Sequence, residues 1–304
     1  MDSMATTELA ATLEPVRKLT KDIRSASKDL SSKEARYLVD TYYTLQDFRK
    51  ATGNQIKALA KAGEPNEGIQ FFFNQFATLE KSIKSVLEVY VKNQELGQWC
   101  LSIMGIGPVI TAGLMAHIDI EKAPTVGHIW SYAGLVPGQK WEKGQKRPWN
   151  ARLKVLCWKI GQSFVKVSNN EKDVFGKVYK ARKELEQQRN EAGEYAGQAA
   201  EILASKNFNK DTEAYKHYSI GKLPPGHIQQ RAERYATKLF LASYHEVAYF
   251  LRYNELPPKP YVIAHLNHSH HWGPPNSDLI PGLVKAQTKQ GPRETLATYL
   301  QQEA

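Results

Sequence analysis

Two places in this chain hold residues whose type and spacing suit chemistry. The first is Ile103-Met104-Gly105-Ile106-Gly107-Pro108, where one apolar helical stretch stops and another starts at once. Glycines at 105 and 107 allow torsions and a close backbone approach that side chains resist. Pro108 suits the first position of a new helix. A hairpin of this kind offers free N–H groups that can hold an anion, most usefully a nucleic-acid phosphate. Ile106 is expected to point inward and pin the hairpin, together with Val109, Ala112 and Leu114 or Met115. The plainer alternative is a helical turn with a glycine C-cap.

The second place is the stretch from Gly138 to Lys159. It carries Lys140, Lys143, Lys146, Arg147, Arg152, Lys154 and Lys159 against one acid, Glu142, with Trp141, Trp149 and Trp158 interleaved. Lysine and arginine neutralise phosphates, and flat rings stack on exposed bases. Trp158 is expected in the core, because Leu153, Leu156, Cys157 and Ile160 are taken to share its helical stripe. Trp141, in a loop of Gly, Lys and Gln, is expected to be exposed or to face a ligand. The candidate nucleic-acid-binding set is therefore Gly105, Ile106, Gly107, Lys140, Trp141, Lys143, Lys146, Arg147, Arg152 and Lys154. No catalytic residue is assigned. His265, His268, His270 and His271 form the one metal-like cluster, but no cysteine or acid lies near before Asp278. Structural metal sites usually need four well-spread ligands, so a hydrogen-bonded or phosphate-facing histidine tail is preferred, and neither metal nor cofactor is expected.

The elements that must position these residues read as almost entirely helical. Ser31-Ser32-Lys33-Glu34 has the pattern of a capping box opening a helix from about 32 to 62. Gly63-Glu64-Pro65 breaks it. A second long helix follows, near 67 to 96, with Phe72, Phe76, Leu79, Ile83, Val86 or Leu87, and Tyr90 at three- and four-residue spacing. Together they predict an antiparallel helical hairpin or coiled coil over 31–96, after an N-terminal extension, 1–30. A helix–hairpin–helix domain is expected over 97–256, with Pro148 opening the helix that runs to about Ser168. Segment 171–222 reads as an inserted, projecting, highly charged helical arm with few core residues. A strong amphipathic helix follows Pro224-Pro225-Gly226, and an irregular tail occupies 257–304.

The chain has 304 residues and a formal net charge of +10. That balance suggests a polyanionic partner and says nothing of fold. Hydrophobic residues make up 41%, enough for one large domain or two smaller ones. No run approaches the roughly 20 apolar residues of a membrane span, and the N-terminus lacks the layout of a signal peptide. Cys100 and Cys157 are the only cysteines; both read as reduced core thiols. The expected setting is the cytoplasm, in association with the nucleoid, and no membrane partner is expected.

Two motifs at a set interval, Ile103 to Ala112 and Ile129-Trp130-Ser131-Tyr132-Ala133-Gly134-Leu135-Val136-Pro137-Gly138, resemble the transposase family of insertion sequences that carry a RuvC-like DEDD domain. In that family a glycine hairpin followed by Thr-Ala precedes a similar Y-x-G-L-x-P motif. Tyr43 to Gly63 is similar to the family's coiled coil, and Ala232 to Phe240 with Tyr249-Phe250-Leu251 is similar to its last helix. The likeness covers about 31–254. It implies DNA as partner and a structured guide RNA as a further one; a homo-oligomer through the coiled coil is also expected.

The chain departs from the family pattern twice. The family's acidic, metal-binding nuclease domain precedes the coiled coil, and only about thirty residues do so here, so that site is not expected. The family's nucleophilic serine follows the G-L-x-P motif, where this chain reads Gly138-Gln139-Lys140-Trp141-Glu142-Lys143-Gly144. Ser131 lies before the motif and Ser163 on the next helix. Three readings stand at this point. One is a nucleic-acid-binding, transposase-related protein without the family's catalytic centres. The second is an active recombinase using Ser131 or Ser163, or completed in trans. The third is a scaffold whose basic charge is incidental.

Overall fold

The computed structural model describes residues 19–258, 273–291 and 293. Among them every regular element is helical, in agreement with the all-α expectation. The chain divides into two compact units. One comprises residues up to Gln98 together with Pro108–His117. The other comprises Trp99–Gly107 and the chain from Ile118 onward. The division at Gly107 falls inside the expected hairpin.

The first unit is built on the predicted helical pair. After a short α1 (Lys21–Ala26), α2 spans Ser32–Ala62 and α3 spans Glu67–Lys92. Ser31 and Glu34 form the expected capping box: the Ser31 amide donates to Glu34 Oε2 (2.8 Å) and the Glu34 amide to Ser31 Oγ (3.3 Å). Gly63 ends α2 in the left-handed conformation, φ +78°, and its amide and that of Glu64 return to Ala60 and Leu59 carbonyls. Asn66 then caps α3 through the Ile69 amide.

α3 stops four residues short of the expected end, and α4 (Glu95–Ser102) begins after a turn. A methyl on Gly97 would come within 2.1 Å of the Val91 carbonyl oxygen, so only glycine fits this turn. α5 (Pro108–His117) packs against both α2 and α3. Arg36 donates to the Ala116 carbonyl at the exposed end of its hydrogen-bond ladder (2.5 Å). The buried residues Ala35, Val39, Leu87, Tyr90 and Val91 lie in this part of the pair. Farther along it, Phe48, Phe71 and Phe72 stay more than half exposed.

The second unit is organised around one long helix. Its elements in order are α6 (Val126–Tyr132), α7 (Ala151–Val167), α8 (Phe175–Glu191), α9 (Ala196–Ser205), α10 (Glu213–Ser219), α11 (Pro225–Tyr253) and α12 (Leu283–Gln290). The 29-residue α11 packs against α6, α7 and α8. An aromatic core of Trp99, Phe164, Phe175 and Phe240 joins these helices, with ring centroids 5.1–6.2 Å apart. The Trp99 indole N–H finds its partner in the Pro275 carbonyl (2.8 Å).

Segment 171–222 is better packed than its charge suggests. Phe175, Val178 and Tyr179 are buried. Tyr195, Ala199, Tyr218, Leu223 and Ile228 build a small core of their own. The charges turn inward where they can pair. Glu186, 2% exposed, accepts from Tyr195, Arg231 and Arg182, tying α8, α11 and the start of α9 together. Part of the tail expected to be irregular is also ordered. Ile280 and Leu283 are buried, and Gln287 and Arg293 bind Glu246 of α11. The histidine cluster 265–271 lies outside the described residues.

Candidate nucleic-acid interface

The loop that carries the basic residues is held at both ends by backbone geometry. α6 finishes in a tight reversal: the amides of Ala133, Gly134 and Leu135 return to Ile129, Ser131 and Trp130 carbonyls. Gly134 sits at φ +65°, and a methyl there would lie 2.8 Å from the Trp149 ring and 3.1 Å from the Lys154 chain. This glycine is what lets Trp149 and Lys154 lie across the end of α6. At the far end, Asn150 anchors the loop twice to Tyr132, through its amide to the carbonyl (2.8 Å) and its side chain to the hydroxyl (2.9 Å). Its side-chain oxygen also caps α7 at the Leu153 amide (3.0 Å). α7 therefore begins at Ala151 under an asparagine cap, three residues after the expected Pro148.

Between these anchors the loop is folded on itself. The Trp141 indole N–H donates to the Gln145 carbonyl (2.7 Å), and the Arg147 guanidinium covers the ring at 4.7 Å from its centroid. Lys140, Lys143, Lys146, Arg147 and Arg152 are exposed. Trp141 is exposed as well, at 38%. The loop's acid, Glu142, accepts only from Gln145 within the described contacts. Lys154 lies 4.0 Å over the Trp149 ring and forms no ion pair among the described residues.

The structure adds cations from α11 that sequence reasoning missed. Arg234 lies near Lys154 and Lys238 near Arg234, and neither has an ion-pair partner among the described residues. Lys238 sits 4.1 Å over the Trp130 ring, whose N–H donates to the Lys238 carbonyl (3.2 Å). Burial first, and then Arg234 and Arg147, pull the Lys154 ammonium below its ordinary pKa. Burial and Arg231 do the same to Arg234; burial and Arg234 do so to Lys238. The nearby Glu186 is already engaged by Arg182 and Arg231. Such like-charge crowding is relieved by an added anion.

Trp158 is a correction to the sequence reading. It is 57% exposed, not buried. The buried face of α7 runs through Leu153, Leu156, Cys157, Ile160 and Phe164. At about 100° per residue, position 158 points roughly 140° away from the mean of that stripe. Trp158 instead lines a cleft of about 420 Å³ that also takes in Gln139, Lys154, Glu233 and Arg234.

The glycine hairpin is anchored by α7. The Ser163 hydroxyl donates to the Gly105 carbonyl (2.6 Å), Gly105 adopts φ +90°, and a methyl there would press on Val167 and Ser163 at 3.2 and 3.3 Å. Ile106 is buried as expected, and its amide donates to the Ile103 carbonyl (3.0 Å). Space is open around the Gly107 Cα.

The hairpin, the G-L-V-P-G turn, the folded basic loop and the anchored α7 follow one another in a single stretch of sequence. Residues 98–169 match the Transposase IS116/IS110/IS902 family. That transposase-family segment takes in most of α4, all of α5 and α6, the basic loop and all of α7, ending two residues beyond it. Every candidate residue read from the sequence falls inside it; Arg234 and Lys238, on α11, fall outside. No curated protein and no solved structure matches the chain.

Of the two serines weighed as nucleophiles, Ser163 spends its hydroxyl proton on Gly105, and Ser131 accepts from the Gln139 amide (2.8 Å). Cys157 is buried, which pushes its thiol up to about 12, and burial raises Cys100 as well. Both thiols are therefore poor nucleophiles. Among the described residues no group of three or more His, Cys, Asp or Glu side chains converges as a metal site would require. No described helix is long and apolar enough to cross a membrane.

Proposed function

We propose that this chain is a transposase-related protein that binds DNA through its backbone and lacks the family's catalytic centres. The observation that carries the reading is the set of cations without ion-pair partners among the described residues: Lys154 and Arg234 beside the G-L-V-P-G turn and Lys238 over Trp130, with the exposed Lys140, Lys143, Lys146 and Arg147 in the loop that follows. Arg152 adds charge at the start of α7. Side chains of this kind give affinity without reading sequence. Trp141 offers a partly exposed ring for an unpaired base. Gly105, Ile106 and Gly107 shape the hairpin in this reading, since the Ile106 amide is spent on Ile103 and the Gly105 carbonyl on Ser163, and the weight of binding falls on the cations. The hydrogen bond from Ser163 to Gly105 favours a structural over a nucleophilic role for that serine.

The test is fluorescence anisotropy on a labelled duplex, comparing the wild type with a variant in which Lys140, Lys143, Lys146 and Arg147 are all changed to Ser. Affinity is expected to fall at least tenfold, with no preference among duplex sequences. Equal affinities would refute the reading. A structured RNA is the second partner in this proposal, checked by competition for the same loop. A homo-oligomer through the helical pair of the first unit is also proposed, because Phe48, Phe71 and Phe72 leave apolar surface exposed there.

A further inference from the structure

The cleft beside α7 has features that a straight duplex does not use. Its volume of about 420 Å³ lies in the ~300–1,000 Å³ range of small-ligand sites, too small for a duplex and roomy enough for one nucleotide. Lys154 and Arg234 line it, without ion-pair partners among the described residues. Trp158, in the lining of the cleft, presents an indole that is 57% exposed and open to stacking. Gln139, also in the lining, has a buried side-chain oxygen with no hydrogen-bond donor, while its nitrogen is occupied by Ser131. Glu233 lies in the lining too, with its carboxylate held by the Gln162 and Gln229 amides (2.8 Å each). Cations, an aromatic face and two acceptors thus converge in one nucleotide-sized space.

We infer that this cleft holds a single unpaired nucleotide of a DNA strand, with its phosphate on Lys154 and Arg234 and its base against Trp158. The two acceptors, Gln139 and Glu233, suit a base bearing an exocyclic amine. A base held out of the stack is reached by edge hydrogen bonds and by stacking on flat side chains, and the energetic cost is least where the base is already unpaired. The inference rests on the DNA-binding reading above and adds a preference that backbone charge alone does not provide.

The experiment measures the affinity of the full chain for two labelled duplexes of the same sequence, one fully paired and one with a single bulged dA. The wild type is expected to bind the bulged duplex roughly tenfold more tightly, the scale of one base–aromatic stack. In Trp158→Ala the ratio is expected to fall close to one, and Trp158→Phe should restore part of it. Circular dichroism on the variants separates loss of the ring from loss of the fold. A wild-type ratio of one, with both duplexes bound, would overturn the inference and leave backbone binding standing. A preference that survives Trp158→Ala in a folded protein would also overturn it. Failure to bind either duplex would instead bring down the DNA-binding reading itself.

Discussion

A few side chains and one glycine shape the basic surface. Gly134 holds a left-handed torsion with Trp149 and Lys154 pressed against it. The Gly134→Ala variant is expected to lose about 1–2 kcal/mol from the torsion alone, and to displace Lys154, so thermal unfolding and DNA affinity should both fall. A variant with unchanged stability would show that the turn tolerates a side chain. Removing single loop cations, as in Lys143→Ala or Lys146→Ala, should weaken duplex binding modestly and by similar amounts, since each neutralises at most one phosphate. The loop cations were readable in the sequence because they crowd one short stretch with one acid. Arg234 and Lys238 are not, because they lie some eighty residues from Lys154 and Arg234 meets it only after α11 packs on α7. Trp158 was misplaced for a different reason: it neighbours apolar residues in sequence, while the helical angle sends it outward.

Helices are where the sequence was most legible, because their ends carry their own chemistry. Ser31 with Glu34 and Gly63 set the ends of α2 where expected. Asn150, not Pro148, opens α7, since an asparagine oxygen satisfies an amide that proline only avoids leaving bare. The packing of the charged segment was not legible, because its stability comes from paired charges rather than an apolar stripe. Glu186 is the hub of that pairing. Burial alone would raise its pKa, but hydrogen bonds from Tyr195, Arg231 and Arg182 outweigh it and hold the pKa below the ordinary glutamate value. A carboxylate with a depressed folded pKa contributes stability above its unfolded pKa, and that contribution is lost as pH falls through the folded value. Glu186→Ala is therefore expected to cost about 3–5 kcal/mol at neutral pH, and the gap to wild type should narrow in acid. Urea melts at pH 7 and at pH 3 check this; a gap independent of pH would contradict it. Gly176→Ala offers a second check, since its methyl would meet the Phe164 carbonyl oxygen at 2.6 Å. Overpacking of that kind costs about 1–3 kcal/mol, visible as a lowered midpoint in the same melts.

For the molecule as a whole, the transposase-family match covers the loop that carries the charge, while the helical pair of the first unit lies outside it. The exposed phenylalanines of that pair give the oligomer proposal its test. Phe72→Glu should shift the chain toward monomer in analytical ultracentrifugation, and an unchanged mass would remove the helical pair as the interface. The central claim is electrostatic, and salt reports it most directly. With about five phosphates neutralised, a plot of log affinity for duplex DNA against log salt should have a slope near −4.5. Between about 50 and 200 mM salt, binding should then weaken several-hundredfold. A slope near zero, with DNA still bound, would contradict the account.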